Sequence, residues 1–202
     1  MINVRSDDVC VVVGKRRGGK SYFFRHLLLP FKRRIIWDYN HEHGDMGFCL
    51  HYSNQLKEAW EKGLFHIVFQ PYDRTKEAFN SFLEACQPFR NFVLGIEEAE
   101  RYAIAKQELE KTVPALRQFI DVGRHNGVGI FVTARRINRL HQDIPANADH
   151  IFVFKTHKPQ DLDLLSEWLS DKVYVLKEGS LKPFCFIHYD DRAGTTTLRP
   201  PV

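Results

Sequence analysis

An apolar, β-branched run, Val9–Val13, leads without a break into Gly14-Lys15-Arg16-Arg17-Gly18-Gly19-Lys20-Ser21, and an amphipathic stretch, Lys20–Leu29, follows at once. No other feature of the chain limits its fold so tightly. The spacing G-x-x-x-x-G-K-[ST] between a strand and a helix is that of a phosphate-binding loop. Its glycines let successive backbone N–H groups turn inward around phosphate oxygens. The helix that follows presents its positive end to the same anion. The candidate nucleotide-binding residues are therefore Gly14, Lys15, Arg16, Arg17, Gly18, Gly19, Lys20, Ser21 and Tyr22. Lys20 is expected to reach the β- and γ-phosphates of ATP, and the Ser21 hydroxyl to ligate Mg2+.

A strand, loop and helix of this kind need partners, and the rest of the chain supplies them. Short apolar runs at Arg34–Trp37, His66–Phe69, Asn91–Ile96, Val128–Thr133, His150–Phe154, Val173–Leu176 and Phe184–His188 read as further strands. Gln55–Glu61, Lys76–Ala85, Glu108–Val122 and Asp161–Leu169 read as helices, and Tyr39–Asn54, rich in His and Gly, as a loop. Several strands are apolar throughout, as strands covered on both faces are. The expected class is α/β: a P-loop NTPase fold with a mostly parallel sheet flanked by helices on both faces. The last two runs, across a turn containing Gly179 and Pro183, are expected to form a C-terminal antiparallel hairpin.

At 202 residues, 44% hydrophobic and 13% aromatic, the chain suits one domain over 1–202 with a substantial core. No apolar run approaches the ~18 residues of a membrane-spanning helix. The start, MINVRSDDVC, does not read as a secretory leader. Four scattered cysteines without a CxxC pair point to neither a disulfide framework nor zinc. The expectation is a soluble protein of a reducing compartment. Its net charge of +4 permits a polyanionic partner without demanding one.

Nucleotide hydrolysis also needs acids, and Phe92-Val-Leu-Gly-Ile-Glu97-Glu98 ends an apolar run in two of them. Glu97 is expected in the metal shell beside Ser21, and Glu98 is expected to orient the attacking water. Gly95 is expected to admit the backbone of the neighbouring phosphate loop. Asp38 closes another apolar run, and with Glu42 it either contacts the nucleotide and its waters or caps the next turn. Arg117, Arg124, Arg135, Arg136 and Arg139, with His125 and His141, crowd into one region. Phosphate sensing, an arginine finger for a neighbouring subunit and contact with a nucleic-acid backbone compete as their roles. Arg124 precedes a buried strand, so in a parallel sheet it lies opposite its own phosphate loop and suits a neighbour's nucleotide in a head-to-tail ring. Arg135 and Arg136 follow that strand and suit a role in cis.

Over residues 9–156 the sequence resembles the FtsK/HerA superfamily of DNA-pumping ATPases, and within it the packaging ATPases of tailless icosahedral viruses with internal membranes. The resemblance rests on Gly14–Ser21, on Asp38 and Glu42, on Ile96-Glu97-Glu98, and on Gly123-Arg124-His125-Asn126-Gly127 leading into Ile130-Phe-Val-Thr133-Ala-Arg135-Arg136. Ala134 stands where that family carries a sensor glutamine and Arg136 where it carries proline, which leaves Thr133 or Arg135 for the sensing role. The resemblance implies an ATP- and Mg2+-dependent double-stranded DNA translocase, the motor of viral genome packaging. It implies a homo-oligomeric ring, pentamer or hexamer, with ATP between subunits and DNA through the centre. It also implies a cytoplasmic location in an infected host cell or on the virion, with capsid-vertex or virion-membrane proteins as further partners. DNA-contacting candidates are the Arg117–Arg139 region and the Lys172–Lys182 segment. Two other classes fit about 200 residues: a small P-loop nucleotide or nucleoside kinase, and a nucleotide-switched morphogenesis protein. A GTPase lacks support, because no N-K-x-D motif is present and Asp191-Arg-Ala-Gly194 lies out of order for D-x-x-G. An ABC-type ATPase lacks its L-S-G-G-Q-like signature.

Overall fold

The computed structural model describes residues 2–202. In chain order its elements are β1 (Val9–Val13), α1 (Lys20–Leu28), β2 (Arg34–Trp37), β3 (Phe48–Leu50), α2 (Gln55–Glu61), β4 (His66–Phe69), α3 (Lys76–Cys86) and β5 (Phe92–Ile96). They continue with α4 (Leu109–Thr112), α5 (Pro114–Val122), β6 (Val128–Ala134), α6 (Asp143–Ala146), β7 (His150–Val153), α7 (Pro159–Leu169), α8 (Val173–Lys177), β8 (Phe186–Asp190) and β9 (Thr195–Arg199). The strands form one sheet in the order β3-β4-β2-β5-β6-β1-β7-β8-β9. Every pairing from β3 to β7 is parallel, and β7–β8 and β8–β9 are antiparallel.

The parallel strands are apolar throughout because both sides of the sheet are covered. On one side Val12, Ile36, Val68, Val93 and Phe131 pack under Phe23, Phe24, Leu27 and Leu28 of α1. On the other, Val11, Ile35, Leu94 and Val132 meet residues of α2, α3, α5, α7 and α8. Trp37, fully buried, is stacked on Phe69 at 5.4 Å and walled by Phe79, Phe82 and Tyr102. This cluster fixes the ends of β2 and β5, where the site lies.

Three expectations change. Val173–Leu176 is not a strand: Val173 and Leu176 are buried while Tyr174 between them is exposed, a helical spacing, and the segment forms α8. The hairpin therefore comes one element later. It joins β8 to the threonine-rich β9 through the turn Asp191–Gly194, where the Gly194 N–H donates to the Asp191 carbonyl at 3.1 Å. The expected helix Glu108–Val122 is two. Pro114 has no N–H to donate and drives Val113 to an extended φ of −145°, so α4 stops and α5 starts afresh. The Tyr39–Asn54 loop also holds the edge strand β3, hidden in the sequence because only Leu50 of its three residues is buried.

Candidate nucleotide site

Register brings the site together. Val13 of β1 pairs with Ala134 of β6, Ile96 of β5 with Val132 of β6, and Trp37 of β2 with Ile96. The loop after β1, the acids after β5, Asp38 after β2 and Arg135 after β6 thus emerge side by side at the carboxyl edge of the sheet. Ligands of open α/β sheets gather at this edge. A cavity of about 330 Å³ there is lined by Arg16, Arg17, Lys20, Ser21, Asn40, Glu42, Glu97, Glu98, Thr133, Ala134 and Arg135.

The loop adopts the conformation its glycines permit. Gly14 has φ +150°, and a Cβ there would meet the Phe154 Cβ at 2.7 Å, while Gly19 caps α1 at φ +98°. The Lys20 ammonium donates to the Lys15 carbonyl at 3.1 Å. Burial pulls its pKa down, against the upward pull of Glu100, Glu98 and Glu97.

Glu97 and Glu98 follow one another in the chain but are held quite differently. Glu97 is buried; one oxygen accepts the Asn40 backbone N–H at 3.0 Å, and the other lies 3.8 Å from His43. Burial pushes its pKa up to about 7. Glu98 is a non-glycine residue in the left-handed region, at φ 51° and ψ 46°. Its N–H donates to the Thr133 hydroxyl at 3.0 Å, and its carboxylate accepts from Arg101, from Arg135 and, at 3.3 Å, from Asn40. Burial alone would raise the Glu98 pKa, but these donors and charges hold it below the usual range. Tyr102, packed on Phe79 at 4.1 Å, anchors the turn that carries Glu98 and Arg101.

Ser21, Glu97 and Glu98 offer only oxygen donors to one cavity, the donor type Mg2+ requires. Among the described residues no Lys or Arg forms an ion pair with the buried Glu97 carboxyl, whose neighbour is His43 at 3.8 Å, so this donor set fits the metal.

The structure separates the other candidates. Asp38 is fully buried and accepts the N–H groups of Glu42 and His43 and the Gln70 amide, each at 2.9 Å; it is the turn cap, not a nucleotide contact. Gly95 does not admit the phosphate-loop backbone: a Cβ there would meet Leu28 and Phe24 of α1, both at 3.1 Å. Arg135 reaches the site. Arg136 turns away, to Asp161 of α7 at 3.0 Å and to Gln160. Arg117 pairs with Asp121 at 2.8 Å and with Asp143, and Arg139 is exposed. Arg124 lies at the opposite edge, its side chain 57% exposed and paired with Asp149 at 2.6 Å. Lys172–Lys182 is α8 and the turn after it rather than a hairpin.

Three residues of the site were not singled out from the sequence. Asn40 contacts both glutamates, His43 is buried with neither ring nitrogen hydrogen-bonded among the described residues, and the half-buried Glu100 accepts the Arg135 N–H at 2.8 Å while its Oε2 is buried without a partner there. The run Glu97-Glu98-Ala99-Glu100 was the available signal for Glu100.

No protein-family model matches the sequence, and no curated protein matches it. Solved structures do match. The genome packaging NTPase B204 from Sulfolobus turreted icosahedral virus 2, in complex with ATP-gammaS, is 26% identical at a TM-score of 0.82, covering 98% of this chain and 100% of that one. The same protein with AMPPCP gives 24% identity and a TM-score of 0.83 over 98% and 99%. VirB4 of Thermoanaerobacter pseudethanolicus shares the fold at 10% identity and a TM-score of 0.69, over 98% of this chain and 90% of that one. Among the described residues no helix is long and apolar enough to cross a membrane. The fold is the P-loop NTPase fold of these neighbours, and the chain is similar over nearly its whole length to a viral genome packaging NTPase.

Proposed function

We propose that the chain is the ATPase subunit of a double-stranded DNA translocase that packages a viral genome, working as a homo-oligomeric ring with nucleotide at the subunit interfaces. The observation that carries this is one cavity holding a phosphate loop, a left-handed Glu98 and Arg135, in a chain matching the packaging NTPase B204 from end to end.

The backbone of Gly14–Ser21 and the Lys20 ammonium bind the phosphates, replacing the Lys15 carbonyl as the partner of Lys20. Ser21 and Glu97 would hold Mg2+, whose charge offsets that of the phosphate oxygens. Glu98 orients and polarises the attacking water. Arg135 is bound to Glu98 and reaches the same cavity, so an arriving γ-phosphate competes for its guanidinium. As Arg135 shifts toward phosphate, the carboxylate gains basicity when substrate is in place. Arg124 completes the site of the neighbouring subunit. Asp149 keeps Arg192 at 3.3 Å when Arg124 leaves it.

The test is ATP turnover with and without duplex DNA at several salt concentrations. Duplex of any sequence should stimulate turnover, and affinity should fall on a log–log slope of about −0.9 per phosphate contacted. Phosphoryl transfer to nucleoside monophosphates without DNA stimulation would instead mark a kinase.

A further inference from the structure

His150 begins β7 beside Cys10 of β1, at the edge of the sheet away from the phosphate loop. The antiparallel pairing sets Asp190 of β8 directly opposite His150, and His188 opposite Phe152. Residues two apart on a strand share a face, so His150, His188 and Asp190 project from the same side of the sheet. The His150 Nδ1 lies 3.1 Å from the His188 Nε2 and 3.8 Å from the Asp190 Oδ2. One ligand atom from each of the three falls within 4.8 Å of the others. Both histidines are buried, and none of the three residues lines the phosphate cavity.

The groups around them hold this arrangement. The His188 ring is stacked on Phe152, with centroids 4.6 Å and planes 12° apart. The Asp190 Oδ1 accepts the Ala193 N–H at 3.2 Å, which leaves Oδ2 for the histidines. Behind the His150 ring, Nε2 lies 3.3 Å from Oδ2 of the fully buried Asp8, yet it has no hydrogen-bond partner among the described residues. A carboxylate behind an imidazole is the outer partner that metal-bound histidines carry: it keeps the proton on one nitrogen and leaves the other lone pair to the ion. The local field also favours a cation, because Asp190, Asp149 and Asp191 act together on His150, while Arg199 opposes them at His188. At the ~2.0–2.1 Å of a zinc–nitrogen bond, nitrogens 3.1 Å apart subtend roughly 95–100° at the ion, an angle that four- and six-coordinate ions accept.

We propose that His150, His188 and Asp190 bind a divalent transition-metal ion that clips β8 to β7. Two imidazoles and one carboxylate suit zinc, whereas Mg2+ takes oxygen donors. In the metal-free protein one ring N–H spans the gap between the histidines; the ion takes its place, and the Asp190 carboxylate, whose side chain is 25% exposed, rotates to complete the set from the solvent side. The two histidines stand 38 positions apart in the chain, with α7 and α8 between them. The ion thus closes a long loop and ties the antiparallel extension to the parallel sheet. This site is independent of the nucleotide reading above.

The test titrates Zn2+ into the intact protein after a chelator has stripped it of metal, with no nucleotide present. One equivalent should bind tightly, and X-ray absorption at the zinc edge should count two imidazoles on it. The melting temperature should rise by about 5–10 °C once free Zn2+ is a hundredfold above its dissociation constant. His150→Gln and His188→Gln should each weaken binding by at least the ~10- to 100-fold that loss of an outer carboxylate costs, and should remove the rise. Asp190→Asn keeps the acceptor for Ala193 at a part-exposed position, so it should fold even where a histidine variant does not, and should bind about tenfold more weakly or worse. His43→Gln alters the other group whose donors could hold an ion, Asp38, His43 and Glu97, and should bind Zn2+ like the parent. The proposal is overturned if the parent takes up no Zn2+, if Asp190→Asn or the folded histidine variants bind it like the parent, or if His43→Gln is the variant that loses it.

Discussion

Glu98 combines a left-handed backbone, worth about 1–3 kcal/mol of strain in a non-glycine residue, with two arginines and an asparagine on its carboxylate. Strain kept in place by that many partners is the pattern of a working group. Glu98→Gln preserves size and removes the charge that polarises water. ATP binding should stay near the parental value while single-turnover hydrolysis falls by about 10²–10⁴; parental turnover would exclude Glu98 as the base. Lys20→Ala removes the ammonium that lies against the Lys15 carbonyl at the cavity wall. Titration should show nucleotide affinity lost by tenfold or more, taking a charge-assisted bond as about 1.5–3 kcal/mol. Glu98, Glu97 and Lys20 were all legible in the sequence, because their chemistry follows from their place in a motif. Asn40 and His43 were not: they take part only because β2 and β5 are neighbours, which no local spacing records.

The elements that were misread share a physical cause, since local pattern competes with packing wherever a segment is short. Val173–Leu176 is β-branched enough for a strand, yet Val173 and Leu176, one helical turn apart, are both buried in the same cluster as Leu165 and Leu169 of α7. At the start of β7, His150 and His188 of β8 lie 3.1 Å apart and buried, with His188 stacked on Phe152 at 4.6 Å. Asp8, Asp190 and Arg199 complete their surroundings. Burial, helped by His150 and Arg199, pushes the His188 pKa down to about 4, and burial lowers His150 as well. A depressed pKa means that the unfolded chain takes up protons the folded chain refuses. The stability due to this pair is therefore fully present above about pH 6.5, the ordinary histidine value, and is lost as pH falls toward 4. The His188 share is on the order of 2–3 kcal/mol. Denaturant melts between pH 7 and pH 4 should show that loss, and His188→Gln should flatten the curve. An unchanged slope would mean that His188 titrates normally.

The molecule as a whole places one arginine, Arg124, at the edge of the sheet opposite its own phosphate loop, exposed and with a substitute cation ready for its partner Asp149. The ring proposed above would turn that edge toward the next subunit's nucleotide. Arg124→Ala and Glu98→Gln subunits should each be nearly inactive alone, and mixed assemblies should regain part of the ATPase activity. If mixed assemblies form and none returns, Arg124 does not act in trans, and Arg135 becomes the arginine of the site. The sequence by itself determined the strand–loop–helix that cradles phosphate, the parallel strands around it and the acids after β5. Each of these is written in residues close along the chain, where apolar runs, glycines and charges act through local backbone geometry. Only the tertiary structure decided which of five neighbouring arginines reaches the cavity, that Asp38 caps a turn, and that Gly95 yields space to α1. Those outcomes depend on strand register and on side chains more than a hundred residues apart meeting in the core, as the Phe23 and Phe152 rings do at 4.8 Å, and hydrophobic burial sets that register only once every strand is in place.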